Sequence, residues 1–261
     1  MERALGRYKY FLILFLAAIS LFLVGDKALP ENAALEDEAV KSETLSVERS
    51  EADYEIDGRI VMVKAGDRGR HILAASGSGV VYDISEDSLW IVTAGHVLEH
   101  AAGYEVWVDF GSTADRGAKP ADNNAEVICG AYEMAKDADL AFLRLPLETI
   151  PEDIRSQLEK PLTDKDRYDG LSASAVVYVW GYGDDKLFFY EGILTDAWIY
   201  VEDFDQYMLV ADCEIEPGMS GGGLYDAEDN LIGIACGGNE AGELAAVPFH
   251  VVQARFADIA K

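Results

Sequence analysis

From Tyr54 onward the chain is built of short apolar runs, rich in β-branched and aromatic residues and separated by glycine and aspartate turns. Ile60-Val61-Met62-Val63, Gly79-Val80-Val81-Tyr82, Trp90-Ile91-Val92 and Tyr104-Glu105-Val106-Trp107-Val108 open the series. Leu140-Ala141-Phe142-Leu143, Ala175 to Trp180, Trp198-Ile199-Tyr200-Val201, Met208-Leu209-Val210 and Leu231-Ile232-Gly233-Ile234 continue it. Runs of this length bounded by turn residues predict strands. So many of them, with so little helical patterning between, argue against a wound α/β sheet and for a sandwich or barrel. The length of this block suits two packed barrels. A helical turn is expected at Glu152 to Leu158 between the halves, and a C-terminal helix over Val252 to Ala260.

The N-terminal part is different in kind. Arg3, Arg7 and Lys9 precede an apolar run from Tyr10 to Val24, the basic and hydrophobic regions of an export signal. The run falls short of the roughly 20 residues of a comfortable membrane span. No clean Ala-x-Ala site follows, and Leu23-Val24-Gly25 is a poor substitute. Residues 1–25 therefore read as a signal peptide or an uncleaved signal anchor, with residues 10–24 as the membrane tether. In both cases the basic flank stays inside and the remainder is extracytoplasmic, anchored or secreted. Residues 26–53 are acidic, small and polar, an expected flexible linker with too little apolar surface to offset ordering entropy.

A net charge of −27 over 261 residues argues against nucleic acid and anionic membrane surfaces as partners, because both require a basic face. Asp53-x-Glu55-x-Asp57-Gly58 imitates half of a calcium loop, but its twelfth position is Lys64, so no metal site is expected. Three cysteines are too few for a disulfide framework. Cys129, at the end of a strand-like run from Ala125, reads as a small buried hydrophobe. Cys213 and Cys236 flank Ser220 in the sequence; reduced buried thiols are the favoured reading, and spacing alone leaves a bond open.

Three short motifs carry chemistry. Thr93-Ala94-Gly95-His96-Val97 places a histidine directly after a strand pattern. Asp137-Ala138-Asp139-Leu140-Ala141 places an acid directly before another, and Glu216-Pro217-Gly218-Met219-Ser220-Gly221-Gly222 holds a serine among glycines. Any one alone has a bland explanation: a buried histidine, a turn aspartate, a tight-turn serine. Together, in the order His, Asp, Ser, they match the order of chymotrypsin-like proteases. A serine hydroxyl needs a base in reach, and the base needs an orienting acid. His96 fits the first role and Asp139 the second; Asp137 competes but lies further out in the turn. Gly218 and Ser220 offer backbone N–H donors for the developing oxyanion. No metal or organic cofactor is required.

On these residues the chain resembles trypsin-like serine proteases, and within them the bacterial HtrA-type branch. Gly77-Ser78-Gly79-Val80-Val81-Tyr82-Asp83 resembles that branch's approach to the histidine motif. Trp180-Gly181-Tyr182-Gly183 with Glu191-Gly192-Ile193-Leu194 resembles its second-barrel opening, and Asp212 to Gly222 its Asp-x-x-Ile-x-Pro-Gly-x-Ser-Gly-Gly segment. The resemblance covers residues 54–261, Val247-Pro248 and the final helix included. It implies an all-β fold of two packed six-stranded antiparallel β-barrels, about 54–150 and 165–261, with a short C-terminal helix. It also implies an active site in the cleft and a triad of His96, Asp139 and Ser220. The expected function is an exported serine endopeptidase acting on protein or peptide substrates.

Two departures bear on control. No chain remains after Lys261 for the PDZ domain such proteins usually carry, so PDZ-dependent peptide sensing is not expected. Arg59-Ile60-Val61 looks like an activation cleavage site, but Met219 stands where activated relatives keep an aspartate for the freed amine. The segment is therefore expected to begin a strand. By similarity, the primary pocket involves Glu214, Cys236, Gly237 and Gly238. Glu214 would favour basic residues, whereas the HtrA-type branch favours small apolar ones. The competing readings are a catalytically silent relative that binds peptides or a partner, and an α/β-hydrolase esterase. The esterase requires a different triad order and a helix after the nucleophile.

Overall fold

The structure, a computed structural model, describes residues 59–111, 126–163, 168, 170–184 and 186–260. The expected signal, linker and half calcium loop (through Gly58) lie outside the described residues. Among those described, no helix is long and apolar enough to cross a membrane, and no group of three or more His, Cys, Asp or Glu side chains could hold a metal.

The first half contributes β1 (Ile60–Asp67), β2 (Ile72–Ile84), β3 (Ser88–Thr93), helix α1 (Gly95–Leu98), β4 (Glu105–Asp109), β5 (Glu126–Ile128), β6 (Ala131–Met134) and β7 (Ala141–Pro146). Helix α2 (Glu152–Arg155) links to β8 (Val176–Gly183), β9 (Lys186–Val201), β10 (Gln206–Asp212), β11 (Gly223–Asp226), β12 (Leu231–Gly238) and β13 (Glu243–Pro248). Helix α3 (Phe249–Ile259) follows at once.

The second half closes into a six-stranded barrel in the order β10-β13-β12-β11-β8-β9. The first half forms a sheet of seven segments, β5-β4-β1-β2-β3-β7-β6. Its two outermost segments are consecutive in the chain. β5 pairs with β4 and β6 pairs with β7, while Cys129 and Gly130 form the corner between them. The Cys129 N–H donates to the Val106 carbonyl, and its thiol lies within 3.0 Å of the Ala131 carbonyl oxygen. Segments β5 and β6 are thus one bent strand that carries the sheet from β4 round to β7, so six strands appear as seven segments. Cys129 is half-buried at this corner, not sunk in the core.

Several elements run past the sequence pattern, β2 (13 residues against the run Gly79 to Tyr82) and the final helix (from Phe249, not Val252) among them, and one merges two of its runs. β9 is a single strand of 16 residues, where the sequence shows separate runs at Glu191 to Leu194 and Trp198 to Val201. Its first part pairs with β8 and its last part with β10, with register shifts against β10 opposite Thr195 to Ala197. A strand that turns a barrel corner through such irregularities loses strict alternation there.

One apolar cluster spans both halves, joining Val61, Val80 and Phe142 to Trp180, Met208 and Val247. Helix α3 leaves the second barrel and lays Phe256 on the first, 4.6 Å from the Tyr82 ring centroid, 5.3 Å from Trp90 and 5.6 Å from Phe142. At the other end, Ile60 is buried and pairs with Val80, and the Arg59 carbonyl accepts from the Val81 N–H at 2.8 Å. Arg59-Ile60 leads into a strand, as expected from the neutral Met219.

Candidate active site

β3 and β7 are neighbours, and their register sets Thr93 opposite Ala141. Residues just after β3 and just before β7 therefore emerge at the same sheet end. There α1 presents His96, and the turn between β6 and β7 presents Asp139. The His96 Nδ1 lies 2.7 Å from Asp139 Oδ2, and the His96 backbone N–H donates to Asp139 Oδ1 at 2.7 Å. Asp137 is instead the exposed residue that takes the turn through a left-handed φ of 57°. Of the two carboxylates, Asp139 is the one that meets His96.

Asp139 is largely enclosed. Burial by itself raises its pKa, but the hydrogen bonds from the His96 ring and backbone, and the ring's charge, outweigh burial and hold the carboxyl below the usual carboxylate range. An ionised Asp139 favours the imidazole tautomer with its proton on Nδ1, which leaves Nε2 as an acceptor. From the second barrel, Gln206 accepts the Asp139 backbone N–H through Oε1 at 3.3 Å. Cys236 Sγ approaches the Asp139 carbonyl oxygen at 3.8 Å, and burial, then the Asp139 charge, push its thiol pKa well up.

Ser220 sits in the turn between β10 and β11, with 9% of its surface exposed. Gly221 has a φ of 90°, and a β-carbon there would overlap the Ser78 carbonyl and Thr93 Oγ1. Only glycine fits, and the serine turn lies tight against the end of β3, next to α1. The Gly221 N–H donates to Ala235 and the Gly222 carbonyl accepts from Ala235, so β12 holds the turn. The Ser220 hydroxyl donates to the Cys236 carbonyl at 2.9 Å. The β12–β13 register shifts between Ala235 and Gly237, so Cys236 is the extra residue of a bulge.

The turn's backbone donors divide cleanly. Met219 N–H goes to Glu216, Gly221 to Ala235 and Gly222 to Met219. The N–H groups of Gly218 and Ser220 make no hydrogen bond among the described residues. Met219 between them is fully buried, and its thioether accepts the Glu216 N–H at 3.3 Å.

The expected pocket residues fall in two places. Cys236, Gly237 and Gly238 lie along β12 beside the serine turn, while the Glu214 side chain is exposed. Its neighbour Ile215 is half-buried and packs on Gly238 so closely that a β-carbon there would overlap Ile215 Cγ2. Ile215, seen in the sequence only as the isoleucine of the Asp-x-x-Ile motif, had no expected site role, and neither had Gln206. Ile215, the one apolar residue in Glu214-Ile215-Glu216, offered a faint signal; a lone glutamine opening a strand offers none. Cys213 and Cys236 are both buried free thiols.

A domain with these features has known relatives. Residues 77–234, more than half of the chain, match the trypsin-like peptidase domain family, and the chain belongs to that family. Among solved structures it is similar to the HtrA-type protease AlgW with a tripeptide, at 21% identity and a TM-score of 0.58. It is also similar to a variant of that protease with a tripeptide, at 20% identity and a TM-score of 0.57. The matches cover 81% and 78% of this chain and 64% and 62% of those chains, so it spans less than two thirds of their length. At this identity the likeness establishes the fold. No curated protein matches the chain.

Proposed function

We propose that this protein is a serine endopeptidase that hydrolyses peptide bonds through His96, Asp139 and Ser220 and an acyl-enzyme intermediate. The observation that carries this reading is the doubly bonded His96–Asp139 pair, 2.7 Å at both contacts, with the Ser220 turn packed against the end of β3 next to it and the N–H groups of Gly218 and Ser220 unused. Such a pair has no packing purpose that an apolar pair would not serve as well.

The Ser220 hydroxyl first exchanges the Cys236 carbonyl for His96 Nε2. Nε2 takes its proton as Oγ attacks the substrate carbonyl carbon, and Asp139 stabilises the imidazolium. The oxygen that becomes negative is received by the Gly218 and Ser220 N–H groups. The imidazolium then gives its proton to the departing amine, and the C–N bond breaks, leaving an ester on Ser220. Water, deprotonated by His96, repeats the attack and releases the acid.

Ile215 against Gly238 supports a shallow apolar pocket that takes small aliphatic side chains, with Glu214 outside it. Matched peptides differing only in Val or Arg before the scissile bond test this. A preference for Arg that vanishes in Glu214→Ala would overturn it.

Export, by cleaved signal or by a tether through residues 10–24, rests on the basic and apolar pattern of residues 3–24. Digestion of the domain by protease added outside the cell's cytoplasmic membrane is the check; full protection until lysis counts against export. For the chemistry, a fluorophosphonate probe should label the wild type and not Ser220→Ala. Absence of labelling on the folded wild type would refute the enzyme reading and favour a silent peptide-binding relative.

A further inference from the structure

Ser78, in β2 of the first barrel, is fully buried and uses every polar atom it has. Its Oγ donates to the Gly218 carbonyl at 2.9 Å and accepts the Tyr182 N–H of β8 at 2.7 Å. Its backbone N–H donates to the Ser220 carbonyl at 2.7 Å, and its own carbonyl accepts from Thr93 Oγ1 at 2.6 Å. One residue of the first barrel therefore holds two carbonyls of the serine turn, those of the two residues whose N–H groups stay unused.

The peptide planes explain why this matters. The Gly218–Met219 plane is held on its N–H side by Glu216 and on its carbonyl side by Ser78 Oγ. The Ser220–Gly221 plane is held on its N–H side by Ala235 and on its carbonyl side by the Ser78 N–H. The Met219–Ser220 plane between them is held directly at its carbonyl by the Gly222 N–H at 2.9 Å, and the Ser78 bonds brace the planes on either side of it, so the Ser220 N–H keeps its direction. Gly218, at a φ of 98°, is the position with the least intrinsic resistance to turning. The Ser78 hydroxyl restrains it on its carbonyl side.

We propose that Ser78 is a positioning residue that preorganises the anion pocket formed by the Gly218 and Ser220 N–H groups, and so acts on the transition state without touching substrate. The inference rests on the protease reading above. Donors fixed before reaction need no reorganisation as charge develops, which is where such sites gain most of their rate.

The test compares wild type with Ser78→Ala, Ser78→Cys and Ser78→Thr, with kcat expressed per fluorophosphonate-titrated active site well below each variant's Tm. Ser78→Ala should lower kcat on the order of 100-fold, the scale of losing one oxyanion donor, with KM nearly unchanged. Affinity for a peptide boronate, whose adduct carries the tetrahedral negative charge, should fall by the same factor as kcat/KM. Ser78→Cys keeps the volume but has only a weak donor, so it should lose most of the rate and carries the test if Ser78→Ala does not fold. Ser78→Thr keeps the hydroxyl and should recover at least about tenfold of the loss, in proportion to the donor it restores. A merely structural role would lower Tm while leaving kcat per active site and boronate affinity intact, and that result overturns the proposal. A folded wild type that neither labels nor cleaves peptide overturns the protease reading, and the role of Ser78 with it.

Discussion

Asp139→Asn isolates the part of the site that the structure defines best. Two donors face the carboxylate: the His96 backbone N–H at Oδ1 and the ring at Oδ2, each at 2.7 Å. The backbone N–H cannot change its character, so the asparagine must turn its carbonyl oxygen to it. That leaves the amide NH2 facing Nδ1, which must then be the unprotonated nitrogen. The imidazole proton moves to Nε2, where it faces Ser220 as a donor, and the base is disabled without any atom leaving its place. The expected loss is about 10,000-fold in kcat at neutral pH, the scale of the wrong-tautomer effect. This corresponds to about 5.4 kcal/mol of transition-state stabilisation. KM should move little, because the substrate contacts are untouched. Steady-state kinetics on a peptide that the wild type cleaves would measure it, with circular dichroism to establish the fold. A loss of less than tenfold in a folded variant would refute the argument, and with it the role of Asp139 as the orienting acid.

Acid stability follows from the same carboxylate. Its folded pKa is held below the unfolded value, so its contribution is complete above the unfolded carboxylate range and is lost as pH falls through the folded pKa. Urea unfolding from neutral to acid pH should therefore show the wild type losing more stability than Asp139→Asn; equal slopes would contradict the lowered pKa. Cys213 should resist alkylation, because burial, followed by the charges of Asp212, Glu214 and Glu191, pushes its thiol up to about 12. Iodoacetamide at mildly alkaline pH should modify it, read by mass spectrometry, only after denaturation, and native-state labelling at the unfolded rate would count against the burial. Phe256→Ala removes a half-buried ring from a cluster of three aromatics and should cost roughly 2–3 kcal/mol in denaturant unfolding, below the full-burial range. A cost under about 0.5 kcal/mol would mean that α3 does not brace the first barrel.

Most strands were legible because their apolar runs are dense and their turns are marked by glycine and aspartate; β6, β11 and β13, short and poor in large apolar residues, were not. Barrel closure was less legible. Nothing in the composition of Glu126 to Met134 announces that one strand bends at Cys129-Gly130 and serves two neighbours, since that is a property of partners, not of the run itself. The long β9 was hidden for a related reason: its middle, around Thr195 and Asp196, crosses a corner where alternation lapses. At the site, residues with distinctive chemistry in glycine-marked contexts could be read in order. The contacts that hold them could not. Gln206 reaches Asp139 across 67 positions, and the bulge that frees the Cys236 carbonyl depends on a register shift against β13. Ser78 was visible only as the middle of Gly77-Ser78-Gly79, with no hint that it faces residues 140 and 142 positions away.

The site's two halves are held with unequal firmness, and the topology says why. His96 and Asp139 belong to ends of adjacent strands in one sheet, so a single antiparallel register fixes their separation. Ser220 belongs to the other barrel, and its distance from His96 depends on how the two barrels pack. That packing is apolar: a shared cluster with Trp180 and Met208, and the aromatic seat of Phe256 on Tyr82, Trp90 and Phe142. Apolar contacts are non-directional and set separation without fixing orientation. The directional ties across the cleft are hydrogen bonds such as those of Ser78 to Gly218, Ser220 and Tyr182, and of Asp139 to Gln206. This is the reason to look for control of the proposed nucleophile in those few polar links. Met219, neutral and fully buried, offers no charge for a freed N-terminus to engage. The Ser220 hydroxyl, bonded to a carbonyl of its own barrel while His96 and Asp139 are already joined, marks the contact across the barrels as the adjustable one.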